Sequence, residues 1–347
     1  MSKKYNIFDS EDPSIYSTTS ESSSFPPPTM LPPSPPIQST LKSAPAAPAP
    51  VETKTQYGPE FRDIVRKFME KYNNKVKVYI LTPVYSSTVF VDYMTSLIQT
   101  ISLFRDLNIP LQVEYCKNDS LVTRSRNNLV ARAMNDPDMT HIMFIDSDIS
   151  WTPDSVIKLL LAEKDVVCGI YPLKHYHFNR LLSDPMNPYN SNVVGTWLDK
   201  KNNSQLREFI TDEQAVQYNL LRYNVNFISN ELTINNNIAE VRHAPTGFLM
   251  IKRIVFEKLF RSYPGLIYVD DVGFARQGEE RYSFNIFDTA VEMMPDGKNH
   301  LLSEDFLFCE RYRKISPDKH KVYCDVSINL GHSGTATYQG SFISSLL

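Results

Sequence analysis

His141-Ile142-Met143-Phe144-Ile145-Asp146-Ser147-Asp148-Ile149-Ser150-Trp151 is the stretch on which the fold turns. Its apolar run is too short for a helix and reads as a strand buried on both faces. Two carboxylates separated by one residue follow it. Side chains two apart share one face of an extended chain, so Asp146 and Asp148 are expected to converge on one cation. The position matters, because ligands of open parallel sheets collect beyond the carboxyl ends of the strands. A hard divalent ion on carboxylate oxygens would neutralise a diphosphate leaving group there. A loop carrying two solvated aspartates is the plainer reading. Pro153 follows where a helix would start.

The same grammar extends outward in both directions. Phe61, Ile64, Val65 and Phe68 recur at helical spacing and precede a strand expected at Val76–Thr82. Phe90, Tyr93, Met94, Leu97, Ile101 and Phe104 then mark one face of a second helix. A strand at Leu111–Tyr115, a helix at Leu121–Met134 and a strand at Asp165–Cys168 complete the alternation. Strand and helix in turn predict an α/β fold with a mixed, mostly parallel central sheet flanked by helices. Residues from Lys174 to Asn237 are polar and asparagine-rich, and read as an insertion of loops and short strands carrying substrate contacts. Ala239–His243, Phe248–Ile251, Tyr282–Asn285 and Val322–Val326 are the later strand candidates.

The ends and the composition narrow the function. Of the 23 prolines, 11 lie in the first 50 residues, and no glycine precedes Gly58. Residues 1–57 therefore read as a disordered Pro/Ser-rich tail, and 58–347 as the folded domain. A net charge of −3 gives no excess cationic surface for nucleic acid. No apolar run reaches membrane-spanning length and no secretory leader is read, so a cytoplasmic protein is expected. Cys116, Cys168, Cys309 and Cys324 form no CxxC pair, which sets aside zinc-ribbon and thioredoxin readings. Neither GxGxxG nor GxxxxGK occurs, so a Rossmann or P-loop nucleotide site is not expected.

The Asp146-Ser147-Asp148 motif behind its apolar strand resembles that of the GT-A fold glycosyltransferases, which use nucleotide-activated sugars. Ile80-Leu81-Thr82-Pro83-Val84-Tyr85 is similar to the family's first strand and turn, and Thr123-Arg124-Ser125-Arg126-Asn127-Asn128-Leu129 to its arginine- and asparagine-rich helix. The likeness runs roughly from Val76 to Gly334. The abundance of asparagine gives the chain a look similar to glycosyltransferases of large DNA viruses, in which case a host cytoplasm or virion is implied.

The resemblance implies a set of roles. Thr82, Pro83 and Tyr85 would meet the base and ribose, or form an ordinary strand-to-helix turn. Arg124 and Asn128, four apart on one helix face, would touch base or diphosphate, or bridge locally. Arg126 points elsewhere on that helix and is set aside. Asp146 and Ser147 would contact the nucleotide sugar. His243-Ala244-Pro245-Thr246-Gly247-Phe248 resembles the segment lining the donor-sugar and acceptor pocket, with Thr246 and Gly247 closest. Ser303-Glu304-Asp305 resembles the acidic motif of inverting members, with Asp305 as base and Glu304 on sugar hydroxyls or as alternative base. The plain reading is a helix start, whose dipole would depress carboxylate basicity. His332 would join Asp146 and Asp148 as a metal ligand, favouring Mn2+ over Mg2+. His175 and His177 read as acceptor-side or surface residues.

The implied function is metal-dependent transfer of a sugar from a nucleotide-diphosphate sugar, a UDP-sugar first, to a hydroxyl on a glycan, protein or lipid. Inversion is the expected course. Three alternatives stay open: a retaining enzyme, a sugar nucleotidyltransferase, and a non-catalytic interaction protein on the same fold. The loop Thr82–Thr88 lacks the glycine and lysine that a nucleotidyltransferase needs.

Overall fold

A computed structural model describes residues 3–6, 57–184, 186, 192–201, 211–294, 296–334 and 338–345. Strand β1 (Lys3–Asn6) comes first, then α1 (Pro59–Lys71), β2 (Val78–Val84), α2 (Val91–Asp106), β3 (Leu111–Lys117) and α3 (Val122–Met134). Next are β4 (His141–Ile145), β5 (Ile149–Trp151), α4 (Asp154–Leu161), β6 (Val166–Gly169) and β7 (Pro172–Tyr176). Helices α5 (Val193–Lys201) and α6 (Asp212–Asn219) lead to β8 (Leu221–Tyr223), β9 (Glu231–Asn235), β10 (Ile238–Val241) and β11 (Phe248–Lys252). The chain continues as α7 (Arg253–Ser262), β12 (Ala290–Met293), β13 (Asn299–Leu302), α8 (Glu304–Ile315), β14 (Val322–Asp325), β15 (Leu330–His332), β16 (Tyr338–Gly340) and α9 (Phe342–Ser345).

Nine of the described strands form one sheet in the order β1-β9-β10-β14-β6-β11-β4-β2-β3. The pairings run β3, β2, β4, β6, β14 and β9 one way, with β11, β10 and β1 opposed. The sheet is mixed with one dominant direction, as expected. Strand alternation sorts the apolar side chains into two cores. Ile142 and Phe144 face the layer holding α3, α7 and α8. Met143 and Ile145 face the layer of α1, α2 and α4. Both faces of β4 are buried, which is why its sequence reads as a continuous apolar run. Fully burying side chains of this size contributes about 1.5–3 kcal/mol each.

Several expectations shift. Helix α2 buries Tyr93, Leu97 and Phe104, while Phe90, Met94 and Ile101 are exposed. Ser96 and Thr100 take the inward places because their hydroxyls accept from Trp151, at 3.0 Å from its backbone N–H and 2.8 Å from its indole. Tyr282–Asn285 is no strand. A 3-10 turn occupies Glu280–Tyr282, and a single bridge joins Phe284 to Ile267. The asparagine-rich insertion holds two helices, α5 and α6, the second started by a Thr211–Gln214 capping box. Most of the expected tail lies outside the described residues. Lys3–Asn6, however, pairs with Glu231–Asn235 as an edge strand, supplying partners for backbone groups that β9 would otherwise leave open. No helix among the described residues is long and apolar enough to cross a membrane.

Topology gathers the motifs at one edge. The carboxyl ends of β2, β4, β6 and β14 share it, because these strands run the same way. Strand β11 opposes them, so the residues just before it, Thr246 and Gly247, arrive at the same edge. Helix α8 returns toward the start of β14, which brings its own N-terminus, Ser303–Asp305, to that edge.

Candidate active site

After β4 the chain turns instead of running on extended: the Ile149 N–H donates to the Asp146 carbonyl at 3.1 Å. The two aspartates take separate partners, where one shared cation was expected. Asp146 accepts from Arg126 Nη2 at 3.0 Å, while Asp148 accepts from Lys174 Nζ at 2.6 Å. Strand β5 pairs with β15 in a register that sets His332 opposite Ile149 and therefore beside Asp148. The Ser333 N–H closes that corner on the Asp148 carbonyl at 2.8 Å.

His332 Nε2 lies 3.3 Å from Asp148 Oδ2. Its Nδ1 sits 2.8 Å from the Pro172 carbonyl, which can only accept, so Nδ1 carries a hydrogen. Nε2 then donates to the Asp148 carboxylate when the ring carries both hydrogens, and presents a lone pair there when it carries one, the arrangement of metal-binding histidines held by a backbone carbonyl. Two donors bound at about 2.1 Å and near right angles on one ion stand about 3 Å apart, so the pair fits a divalent cation. Lys174 holds a positive charge on the same oxygen. Hydrogen bonds from His332 and Lys174 keep the Asp148 carboxyl below its usual range, although burial, the largest influence, pushes the other way. Among the described residues no three His, Cys, Asp or Glu side chains converge on one point. Asp148, His332 and Lys174 stand together, and Asp146 is held separately by Arg126.

Arg126 is the residue that sequence reasoning set aside. It is buried, and its guanidinium reaches Asp146 with Nη2 and Glu304 with Nε at 3.3 Å. It thus joins the loop after β4 to the start of α8. Although burial opposes it, the charges of Asp146 and Glu304 hold Arg126 firmly protonated. Phe144 lies under it, 5.4 Å from ring centroid to guanidinium carbon. The available signal was the Asp146–Arg126–Glu304 charge pattern, but contacts 20 and 178 residues apart have no local signature. We predict that Arg126→Met lowers stability by about 2 kcal/mol, below the ~3–5 of a fully buried broken pair because both carboxylates are partly exposed. Arg126→Lys should recover little, since an ammonium lacks the fork. The midpoint of urea denaturation checks both.

Arg124 makes the local bridge weighed for it, whereas Asn128 meets a partner distant in sequence. Arg124 grips Asp119 through Nε at 2.9 Å and Nη2 at 2.6 Å. Asn128 Oδ1 accepts from the Tyr268 hydroxyl at 2.9 Å. Thr82 is wholly buried and shares a 2.6 Å hydrogen bond with the Tyr93 hydroxyl, leaving no free side chain for a base. Beyond it Pro83 is half-buried and Tyr85 is exposed at the open end of β2. Strand β2 pairs with β4 only as far as Leu81–Phe144, so the ladder stops short of Thr82 and Asp146. The Ser147 carbonyl accepts from Phe90 N–H at 3.1 Å, fixing the turn between the two aspartates.

Gly247 has a demonstrable reason to lack a side chain. A Cβ there would stand 2.7 Å from the Tyr171 ring. Thr246 beside it is buried, and the Gly247 carbonyl accepts from Asp146 N–H at 3.0 Å. Tyr171 was not anticipated. Its ring meets His332 edge-on at 5.0 Å, and its hydroxyl accepts from Asn224 at 3.1 Å. Burial first, then the charges of Asp146 and Asp305, drive its phenol well above the usual value. Tyr171 thus packs between His332 and Gly247.

Asp305 is nearly buried in the first turn of α8. Ser303 sits at the cap position, yet its hydroxyl donates to Asp305 Oδ1 and makes no cap bond to the helix backbone. The Phe306 N–H donates to the same oxygen at 2.9 Å. Burial, and next the adjacent Glu304 charge, push the Asp305 carboxyl up to about 6, over the opposing effects of Ser303, Arg126 and Phe306. Desolvation outweighs the helix end, the reverse of the depression expected from the dipole alone. His243 lies behind it, not in a pocket: its ring stacks on Phe306 at 4.5 Å and bonds Glu310 at 2.8 Å, anchoring α8. His175 and His177 meet edge-on at 4.8 Å on and just past β7.

The edge thus carries the Asp148–His332–Lys174 cluster, a buried arginine shared by two carboxylates and a buried Asp305 carboxyl pushed up to about 6, on a mixed α/β scaffold. No family model and no curated protein sequence matches the chain. Among solved structures it is similar to A197 from STIV, at 15% identity and a TM-score of 0.35, over 74% of this chain and 86% of that one.

Proposed function

We propose that the chain is a metal-dependent glycosyltransferase of the GT-A type, moving a sugar from a nucleotide-diphosphate sugar to a hydroxyl acceptor with inversion. The observation that carries this reading is the placement, at one edge of the sheet, of the Asp148–His332 pair and the buried Asp305, whose carboxyl burial pushes up to about 6. A carboxyl of that basicity is ionised at neutral pH and still accepts a proton well.

Asp148 and His332 would hold Mn2+ or Mg2+, which when bound supplies positive charge to a leaving diphosphate. Two protein ligands leave room for phosphate oxygens and water, as such ions require. Lys174 swings off Asp148 and remains beside the diphosphate as a second cation. Arg126 keeps Asp146 and Glu304 oriented toward donor hydroxyls. Asp305 takes the proton from the acceptor hydroxyl as it attacks the anomeric carbon. Tyr85, exposed past β2, would cover the base.

The test is release of free nucleoside diphosphate from a panel of nucleotide sugars, UDP-sugars first, with and without manganese. Metal-dependent release from at least one donor supports the reading. Release of pyrophosphate from a nucleoside triphosphate and a sugar phosphate would replace it with nucleotidyl transfer.

A further inference from the structure

A second cavity, of about 510 Å³, opens between the end of β7 and α6, within the ~300–1,000 Å³ usual for small-molecule sites. Tyr176, Phe178, Val216 and Leu220 give it apolar walls, and Asp212, Glu213 and Gln217 stand among them. Phe178 is 64% exposed, a large apolar ring facing into a cleft instead of a core. Its ring leans on Tyr176 at 5.7 Å, so it is held in place while uncovered.

The polar groups here share a chemistry. Asp212 and Glu213 accept hydrogen bonds only. Gln217 gives one amide N–H to the Tyr176 hydroxyl at 2.6 Å, which leaves its oxygen as a further acceptor beside one remaining N–H. An aromatic face ringed by acceptors calls for a ligand with an apolar face and many O–H donors. Two carboxylates also disfavour an anion. A neutral pyranose meets all three conditions: axial C–H bonds lie on the ring, and equatorial hydroxyls donate outward.

The cavity's place is as informative as its lining. Strand β7 supplies Pro172 to His332 and Lys174 to Asp148. Tyr176 is two residues beyond Lys174, about 7 Å along an extended strand. Phe178 opens the 3-10 turn just past this strand, so a sugar resting on it lies beyond the strand end that carries Lys174 toward Asp148.

We propose that this cleft binds a neutral saccharide as the acceptor, stacked on Phe178 and hydrogen-bonded through Asp212, Glu213 and Gln217. The inference rests on the glycosyltransferase reading for the word acceptor, but saccharide binding itself is measured without donor or metal.

Trp197 offers a built-in reporter, because its indole N–H donates to Asp212 at 3.1 Å and the chain has just two tryptophans. The experiment uses the full chain and methyl glucoside, methyl galactoside, maltose, lactose and diacetylchitobiose as probes, followed by saturation-transfer NMR and tryptophan fluorescence. The expected result is saturable binding of at least one probe. Phe178→Ala and Glu213→Gln each weaken it at least tenfold, Phe178→Tyr retains it, and Asp148→Ala leaves it unchanged. If the wild-type chain binds a saccharide while turning over no nucleotide sugar, the cleft stands and the transferase reading falls. Absence of binding for every probe, binding that survives both Phe178→Ala and Glu213→Gln, or binding of a lysine-rich peptide in place of all the sugars overturns the proposal.

Discussion

Asp148→Ala is expected to cut metal-dependent release of nucleoside diphosphate by about 10³-fold, which is ~4 kcal/mol of lost transition-state stabilisation. The size follows from geometry. In the proposed site Asp148 would supply the anionic ligand, and His332 alone, held on the Pro172 carbonyl, would retain metal weakly. Lys174→Met acts the opposite way on binding. Removing the ammonium that sits 2.6 Å from Asp148 Oδ2 leaves the carboxylate for the ion alone, so manganese should bind more tightly. Titration of manganese followed by electron paramagnetic resonance separates the two variants, with weaker binding in the first and tighter in the second. Equal turnover by Asp148→Ala and wild type would remove the metal from the mechanism.

Asp305→Asn should lose activity by about 10²–10⁴-fold, the usual contribution of a general base. The wild-type rate should climb with pH to a half-maximum near pH 6, then level off, because only the ionised carboxyl accepts the proton. Stability should move against activity. The carboxyl of Asp305 is raised in the folded chain, so the unfolded chain ionises first as pH increases. Folding is then penalised progressively between about pH 4 and pH 6, with the full cost of about 3 kcal/mol present above that window. Asparagine keeps an oxygen for Ser303 and Phe306 without the buried charge. At pH 7.5 the variant should therefore be more stable by up to about 3 kcal/mol, with the gain gone at pH 4. Chemical denaturation at the two values measures it. A less stable variant at pH 7.5 would mean that the charge is compensated in the fold, and full activity would strip Asp305 of the role of base.

Such a gain on removing a presumed catalytic group is the expected signature of a site that stores strain for function. Buried Arg126 behaves oppositely, since its loss leaves two carboxylates facing each other. The two variants together separate a group retained for chemistry from one that also holds the fold.

Much of the scaffold was legible because its signals are local. The strand His141–Ile145 needs no distant partner to be recognised, and its buried faces follow from an unbroken apolar run. The helix Val122–Met134, and the one begun by Pro153, announced themselves through spacing and proline. The α2 face was misread because serine and threonine look polar in sequence, yet Ser96 and Thr100 face inward to Trp151.

By itself, the sequence determined the α/β class, the position of the acidic loop after β4, and the presence of His332 and Asp305 among residues with suitable chemistry. Those features depend on periodicity and on which groups each residue carries. Tertiary structure alone decided which of them meet. The two aspartates took separate partners, the β5–β15 register paired His332 with Asp148, and burial gave Asp305 its basicity. It also chose Arg126 over Arg124, a choice made by contacts with Asp146 and Glu304 across the fold. The physical reason is that direction, register and desolvation belong to packed neighbours, which a one-dimensional pattern does not contain.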